Sequence, residues 1–228
     1  MPIKIRYGIA TRYHIKDIHE LMLKAFRVSE PTTKSIGPTR DEVYNFYHDL
    51  TVLNCKSEKY STVVYHKQRL IAFSLCDVKN LGDIKEPSEE IDVNYYDFAQ
   101  KIRDGPYEHH KANQLLVFSE TLEQKRKQLH GNSAKVMYID VAVVDKDYRR
   151  RGIANELVEK AVKLARSEGC DWVSACATSA ASQELLRRMD FKTLYEIPYA
   201  SFREKGKPVF INLDDSCDAG RYMGLQLK

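Results

Sequence analysis

The residues with the clearest chemistry are consecutive: Asp147-Tyr148-Arg149-Arg150-Arg151-Gly152-Ile153-Ala154. They join an apolar strand to a helical pattern. A helix that starts directly after a buried strand aims its unpaired amides and positive dipole end at the sheet edge, which suits a diphosphate. Gly152 and Ala154 keep that surface small, and the arginines add forked donors for the same oxygens. Two accounts of Gly152 stay open. Either it lets backbone amides approach phosphate closely, or it relieves crowding in an exposed basic turn. No GxxxxGK[ST] sequence occurs, and no GxGxxG follows a strand, which disfavours ATP and NAD.

Other reactive residue types point less far. His109 and His110 are adjacent, so they point in different directions, and no acidic or thiol set completes a metal site beside them; none is expected. The five Cys, at 55, 76, 170, 176 and 217, form no CxxC spacing and no even set. Reduced thiols in a cytosolic protein are the expectation, with Cys170 and Cys176 as core thiols. No apolar run is long enough for a membrane span, and the start lacks a signal-peptide stretch. The formal charge of +4 on 228 residues, 43% of them hydrophobic, is too small to mark a nucleic-acid binder. The 123–130 run EQKRKQLH reads as a solvated helix face rather than a phosphate or nucleic-acid contact.

Positioning those residues takes a succession of elements. Ile3 to Ile9 alternates as a strand, and Ile15, Ile18, Leu21, Met22, Ala25 and Phe26 give a helix over 14–27 that Pro31 ends. A second helix is expected at 40–50, and a hairpin at 61–76 around Lys67-Gln68-Arg69. Helices follow at 93–102 and 111–129. Val136 to Val144 reads as a central strand buried on both faces. The 153–165 pattern gives a helix closed by Gly169. Trp172 to Ala177 is a strand, followed by a helix that turns Leu185, Leu186 and Met189 inward. Final strands are expected at 194–197, 208–213 and 221–227. The βα alternation makes the chain an α/β protein, and the absence of a linker or repeat makes residues 1–228 one domain.

Val141-Ala142-Val143-Val144 followed by Arg149-x-x-Gly152-x-Ala154 resembles the (Q/R)xxGx(G/A) acetyl-CoA motif of the GNAT superfamily of N-acetyltransferases. Ile5-Arg6 with Ala10-Thr11 and Asp17 resembles its first strand and helix, and Leu185 to Phe191 its closing helix and strand. Within the superfamily, Ser29-Glu30-Pro31, the long segment between the third and fourth strands, and Thr178 with Ser182 resemble the invertebrate arylalkylamine N-acetyltransferase group. The resemblance implies a mixed, mostly antiparallel sheet flanked by helices and splayed at the acetyl-CoA site. It implies that Ala142, Val143 and Val144 bond the pantetheine arm, and that Arg149, Arg150, Arg151, Gly152, Ile153, Ala154 and Asn155 hold the diphosphate. Arg150 stands where the family commonly has glycine, and Asp190 replaces the glycine usual before Phe191.

The resemblance also implies direct acetyl transfer to a primary amine, with tyramine, dopamine, serotonin or tryptamine as expected acceptors. A polyamine, agmatine or peptide amino terminus, or a non-catalytic CoA-binding module, are the alternatives. An alkylamine is protonated near pH 7, so a base must take its proton. Glu30 occupies the family's catalytic glutamate position. Departing thiolate is stabilised by a hydroxyl, for which Thr178 and Ser182, four apart on one helix side, are candidates, although either also suits helix capping. Tyr138 and Tyr195 are further donors. The aromatics of 42–47 and of the 61–76 hairpin are candidate walls of an amine pocket.

Overall fold

The computed structural model describes residues 4–85 and 90–228. The strands are β1 (Ile5–Ile9), β2 (Thr62–His66), β3 (Arg69–Asn80), β4 (Lys135–Val144), β5 (Trp172–Ala177), β6 (Lys192–Pro198), β7 (Arg203–Glu204), β8 (Lys207–Pro208) and β9 (Ala219–Gln226). The helices are α1 (Ile15–Leu21), α2 (Pro31–Ile36), α3 (Tyr44–Cys55), α4 (Ala99–Arg103), α5 (His110–Leu122), α6 (Arg126–His130), α7 (Ile153–Ser167) and α8 (Ala180–Arg188). Seven strands form one sheet in the order β1-β2-β3-β4-β5-β9-β6. Every neighbouring pair is antiparallel except β4 with β5.

Helices cover both faces of this sheet. Phe73, Leu75, Val141 and Val143 pack with Ile18, Leu21, Met22, Phe46, Leu115 and Phe118 from the α1, α3 and α5 region. On the other face Met137, Ile139, Val173, Ala175 and Ala177 meet Val158, Ala161 and Ala165 of α7 and Leu186 of α8. The 14–27 pattern is built as a capped turn at Thr11, then α1, then a π-helical turn over Met22–Phe26. Gly169 takes the left-handed conformation after α7, as expected of a helix-closing glycine.

Four sequence expectations are corrected. Pro31 opens α2 rather than ending the preceding helix: it has no N–H to leave unpaired, its φ suits the first helical position, and Glu30 caps the next two amides. The 93–102 helix shrinks to α4, because Asp97 accepts from the amides of Ala99, Lys205 and Gly206 and so starts the helix late. The 111–129 helix breaks between α5 and α6, where Gln124 turns aside to bond both Ile91 N and Ile91 O. Residues 208–213 do not form a strand beyond Pro208. Proline removes a ladder donor, Asn212 is left-handed, and Phe210 leaves the strand direction to pack on Phe118, Tyr199 and Phe202.

Candidate active site

β4 and β5 pair only at Val136 with Trp172, Met137 with Val173 and Tyr138 with Ser174. Beyond that point the two strands diverge. On the β3 side Leu75 pairs with Val141 and Cys76 with Ile139, which leaves Asp140 as a bulge at the point of divergence. The gap opens a cleft of about 890 Å³ whose wall runs from Asp140, Val141 and Ala142 on one strand to Ala175, Cys176 and Ala177 on the other. Strand edges facing a gap offer unpaired amides and carbonyls to an extended ligand with amides of its own. Ala142 is exposed there, whereas the side chains of Val143 and Val144 pack into the cores and leave only their main chain for the gap.

At the outer end of β4 the basic turn takes the shape a phosphate site needs. Asp145 caps a short turn at 146–148. Arg150 and Gly152 then adopt left-handed φ of 59° and 79°. A Cβ placed on Gly152 would meet nothing within 4 Å, so crowding does not explain the glycine and its backbone conformation does. The same openness leaves the α7 amides of Ile153, Ala154 and Asn155 approachable, since the first helical bond belongs to Glu156 N, donating to Gly152 O at 3.0 Å. Arg151, Gly152 and Asn155 line a shallow hollow of about 460 Å³ with Glu156, Glu159, Lys160 and Lys163. Arg151 stacks over Tyr148. Arg149 points elsewhere, its Nη2 donating to Ser29 Oγ at 2.9 Å.

Glu30 and Thr178 come together, 148 residues apart in the chain. Thr178 Oγ1 donates to Glu30 Oε1 at 2.8 Å. The carboxylate also accepts from Thr32 N, Thr32 Oγ1 and Thr33 N, and Glu30 is only 8% exposed. Tyr199 fixes the other side of Thr178 by donating to its carbonyl at 2.7 Å. Ser182 is placed differently. Ser179 is the N-cap of α8, and Ser182 completes the capping box with it, so its hydroxyl is engaged by Ser179 although it reaches the cleft wall. Of the two tyrosines, Tyr138 lines the cleft, while Tyr195 is held by Gln124.

Phe26, Phe46, Tyr47, Phe118 and Tyr138 supply aromatic walls. The 42–47 segment thus contributes as expected, but no residue of the 61–76 hairpin lines the cleft, since its side chains fill the core. The 123–130 run is not a solvated face: Glu123, Gln124 and Arg126 reach the cleft and His130 is buried. Glu123 and Asp140 add two acids to the cleft wall that no motif in the sequence marks. Burial raises both pKa values, and for Glu123 the nearby Asp140 adds to the rise, while Lys79 opposes it in each case. Arg126 Nη1 pairs with Glu123 Oε2 at 3.0 Å, and Lys79 lies over the Tyr138 ring. The signal for Asp140 was in the sequence, as the lone charge inside an apolar strand run.

Cys176 forms part of the cleft wall beside Glu123, and burial pushes its thiol up, so it is no nucleophile at neutral pH. His110 pairs with Glu204. Among the described residues no group of three or more His, Cys, Asp or Glu is disposed to hold a metal, and no helix is long and apolar enough to cross a membrane.

The fold of this mixed sheet is shared with known proteins. Residues 118–191 match the profile described as the Acetyltransferase (GNAT) family. The matched segment carries the signature of that family, whose members are acyltransferases, and it spans β4, α7, β5 and α8. The fold of the whole chain is similar to that of arylalkylamine N-acetyltransferase 2 from Aedes aegypti (TM-score 0.76, 19% identity, 99% of this chain and 100% of that one). It is also similar to the Drosophila melanogaster polyamine N-acetyltransferase that catalyses formation of N-acetylagmatine (TM-score 0.72, 17% identity, 98% and 100%). Arabidopsis thaliana NAA60, solved in complex with acetyl-CoA, shares the fold at lower similarity (TM-score 0.54, 14% identity, 98% and 99%).

Proposed function

We propose that this chain transfers an acetyl group from acetyl-CoA directly to a small primary amine in the cleft between β4 and β5. The observation that carries the reading is the bond from Thr178 to Glu30. Acetyl-CoA supplies the activated acetyl thioester. The basic turn and the α7 amides hold its diphosphate, and the free edge of β4 at Ala142 to Val144 pairs with its pantetheine arm. Glu30 takes a proton from the amine, directly or through water, as the nitrogen forms its bond to the carbonyl carbon and the carbon–sulfur bond breaks. Thr178, whose hydroxyl is hydrogen-bonded to Glu30, passes its proton to the departing thiolate and takes in return the one that Glu30 drew from the amine. Proton removal and proton return then use one hydrogen-bonded pair. Ser182 serves chiefly to hold the first turn of α8.

The aromatic walls support an arylalkylamine as acceptor. A second reading has its own support. Glu123 and Asp140 place acid at the inner end of the same cleft, which favours an acceptor with a second cation, such as agmatine or a polyamine. Release of CoA thiol is measured against tyramine, dopamine, serotonin, tryptamine, agmatine, spermidine and a short peptide. Turnover of the aromatic amines is expected; turnover confined to agmatine and spermidine favours the second reading. Acetyl-CoA binding with no turnover of any amine overturns the enzymatic reading in favour of a CoA-binding module.

A further inference from the structure

We infer that Arg149 is a positioning residue for Glu30, and that Ser29 is the link through which it acts. The inference rests on Glu30 serving as the base. The three consecutive arginines diverge in space: Arg150 is exposed on a left-handed backbone, Arg151 stacks over Tyr148, and Arg149 reaches the segment just before α2. Arg149 Nε donates to Val144 O at 3.3 Å, and its Nη2 donates to Ser29 Oγ at 2.9 Å, 120 positions away in the chain. The guanidinium is therefore held at the end of β4 while it grips the residue before Glu30.

Ser29 passes that grip inward. Its hydroxyl donates to Ala25 O at 2.7 Å, and the amides of Ser29 and Glu30 both donate to Phe26 O, at 3.0 and 2.8 Å. Ala25 and Phe26 belong to the π-helical turn, whose widened ladder includes Arg27 N donating to Met22 O. Such a turn is uncommon and needs support from its surroundings. On the far side Arg27 is tied to Pro38 O. Arg149, Ser29 and Ala25 thus form a chain of hydrogen bonds from the phosphate turn to the backbone that aims Glu30, and linked bonds of this kind reinforce one another. A base displaced by a fraction of an ångström from its proton loses rate without any loss of fold.

Ser29→Ala is the decisive variant because Ser29 touches the chain to Glu30 without belonging to the phosphate turn. It is expected to lower kcat/KM for the amine about 3- to 10-fold, the equivalent of one ordinary hydrogen bond. It should shift the acid limb of the kcat/KM pH profile while acetyl-CoA affinity by calorimetry stays unchanged. Ser29→Thr, which keeps the hydroxyl, should recover most of the loss. Arg149→Ala should lower amine kcat/KM by a similar factor, and adding Ser29→Ala to it should cost the amine step nothing more. Wild-type kinetics and pH profile in Ser29→Ala overturn the inference, as do fully additive effects in the double variant. Glu30→Gln separates the two readings: an unchanged pH profile there defeats the base assignment itself, whereas a collapse there with Ser29→Ala silent defeats only the positioning role.

Discussion

The cleft and the basic turn outside it are built on opposite plans. In the turn, proposed to hold a diphosphate, eight consecutive residues, Asp147 to Ala154, make an open surface from backbone amides and left-handed φ angles, with solvent on one side. In the cleft proposed to take the acceptor, the residues come from positions 26 to 186, and the Glu30 carboxylate is almost sealed from solvent and held by Thr178 and by the start of α2. A backbone site tolerates side-chain change and is sensitive to conformation. A side-chain site reverses both sensitivities, and it carries the buried titratable groups that make stability depend on pH.

The largest expected effect tests the cleft alone. Glu30→Gln should lower kcat/KM by about 10²- to 10³-fold and change its dependence on pH, with acetyl-CoA affinity unchanged, measured by steady-state kinetics across pH and by calorimetry. Next comes acid sensitivity. His130 is buried with Nε2 between Tyr222 Oη at 2.8 Å and Ser174 Oγ at 3.0 Å, and its Nδ1 has no partner among the described residues. Burial takes its pKa from 6.5 down to about 4. The unfolded chain therefore binds a proton first as pH falls. Stability is full above pH 6.5 and declines towards pH 4, by about 3 kcal/mol in all. Urea unfolding at pH 7 and pH 5 should reveal this, and His130→Gln should flatten it.

Gly152→Ala tests the turn by conformation: forcing a side chain into that φ costs about 1–2 kcal/mol, so acetyl-CoA affinity should fall roughly tenfold while the KM for amine holds. A loss in amine KM instead would break the separation between turn and cleft. Glu123→Gln should lower kcat/KM for agmatine or spermidine about tenfold relative to tyramine if the second cation sits there; an unchanged ratio excludes Glu123 from acceptor choice. The smallest effect is on stability. Burial raises the Asp140 pKa, so at neutral pH the folded state bears the cost of its charge, and Asp140→Asn should raise Tm by about 2–4 °C at pH 7.5 for each kcal/mol relieved.

What the sequence discloses follows the same division. The βαβ core around 136–177 is legible because strand, turn and helix each follow from contiguous pattern, and Trp172 to Ala177 is observed with the bounds expected. The shape of the basic turn between β4 and α7 is legible for the same reason. Pro31 misleads because proline can stop one helix or open another, and the choice depends on whether a neighbour such as Glu30 caps the amides. Glu123 resembles every other charge in the polar 123–130 run; only the break between α5 and α6 turns it inward. The Glu30–Thr178 bond joins residues whose nearness depends on the completed sheet, so periodicity carries no trace of it, and only resemblance to a family brought the two residues forward.

One feature of the sheet governs how the chain can be made. β9 lies between β5 and β6, and β6 has no other strand neighbour. During synthesis β5 emerges with β4 beside it at three residue pairs and an open edge on its other side, and that edge stays open until residues 219–226 have left the ribosome. Thr178, immediately after β5, is anchored from beyond by Tyr199, which is itself fastened through its amide to Asp218 O at 2.9 Å, the residue before β9. The nascent protein therefore has the residues of the basic turn in hand well before it has those that fix the Glu30–Thr178 pair.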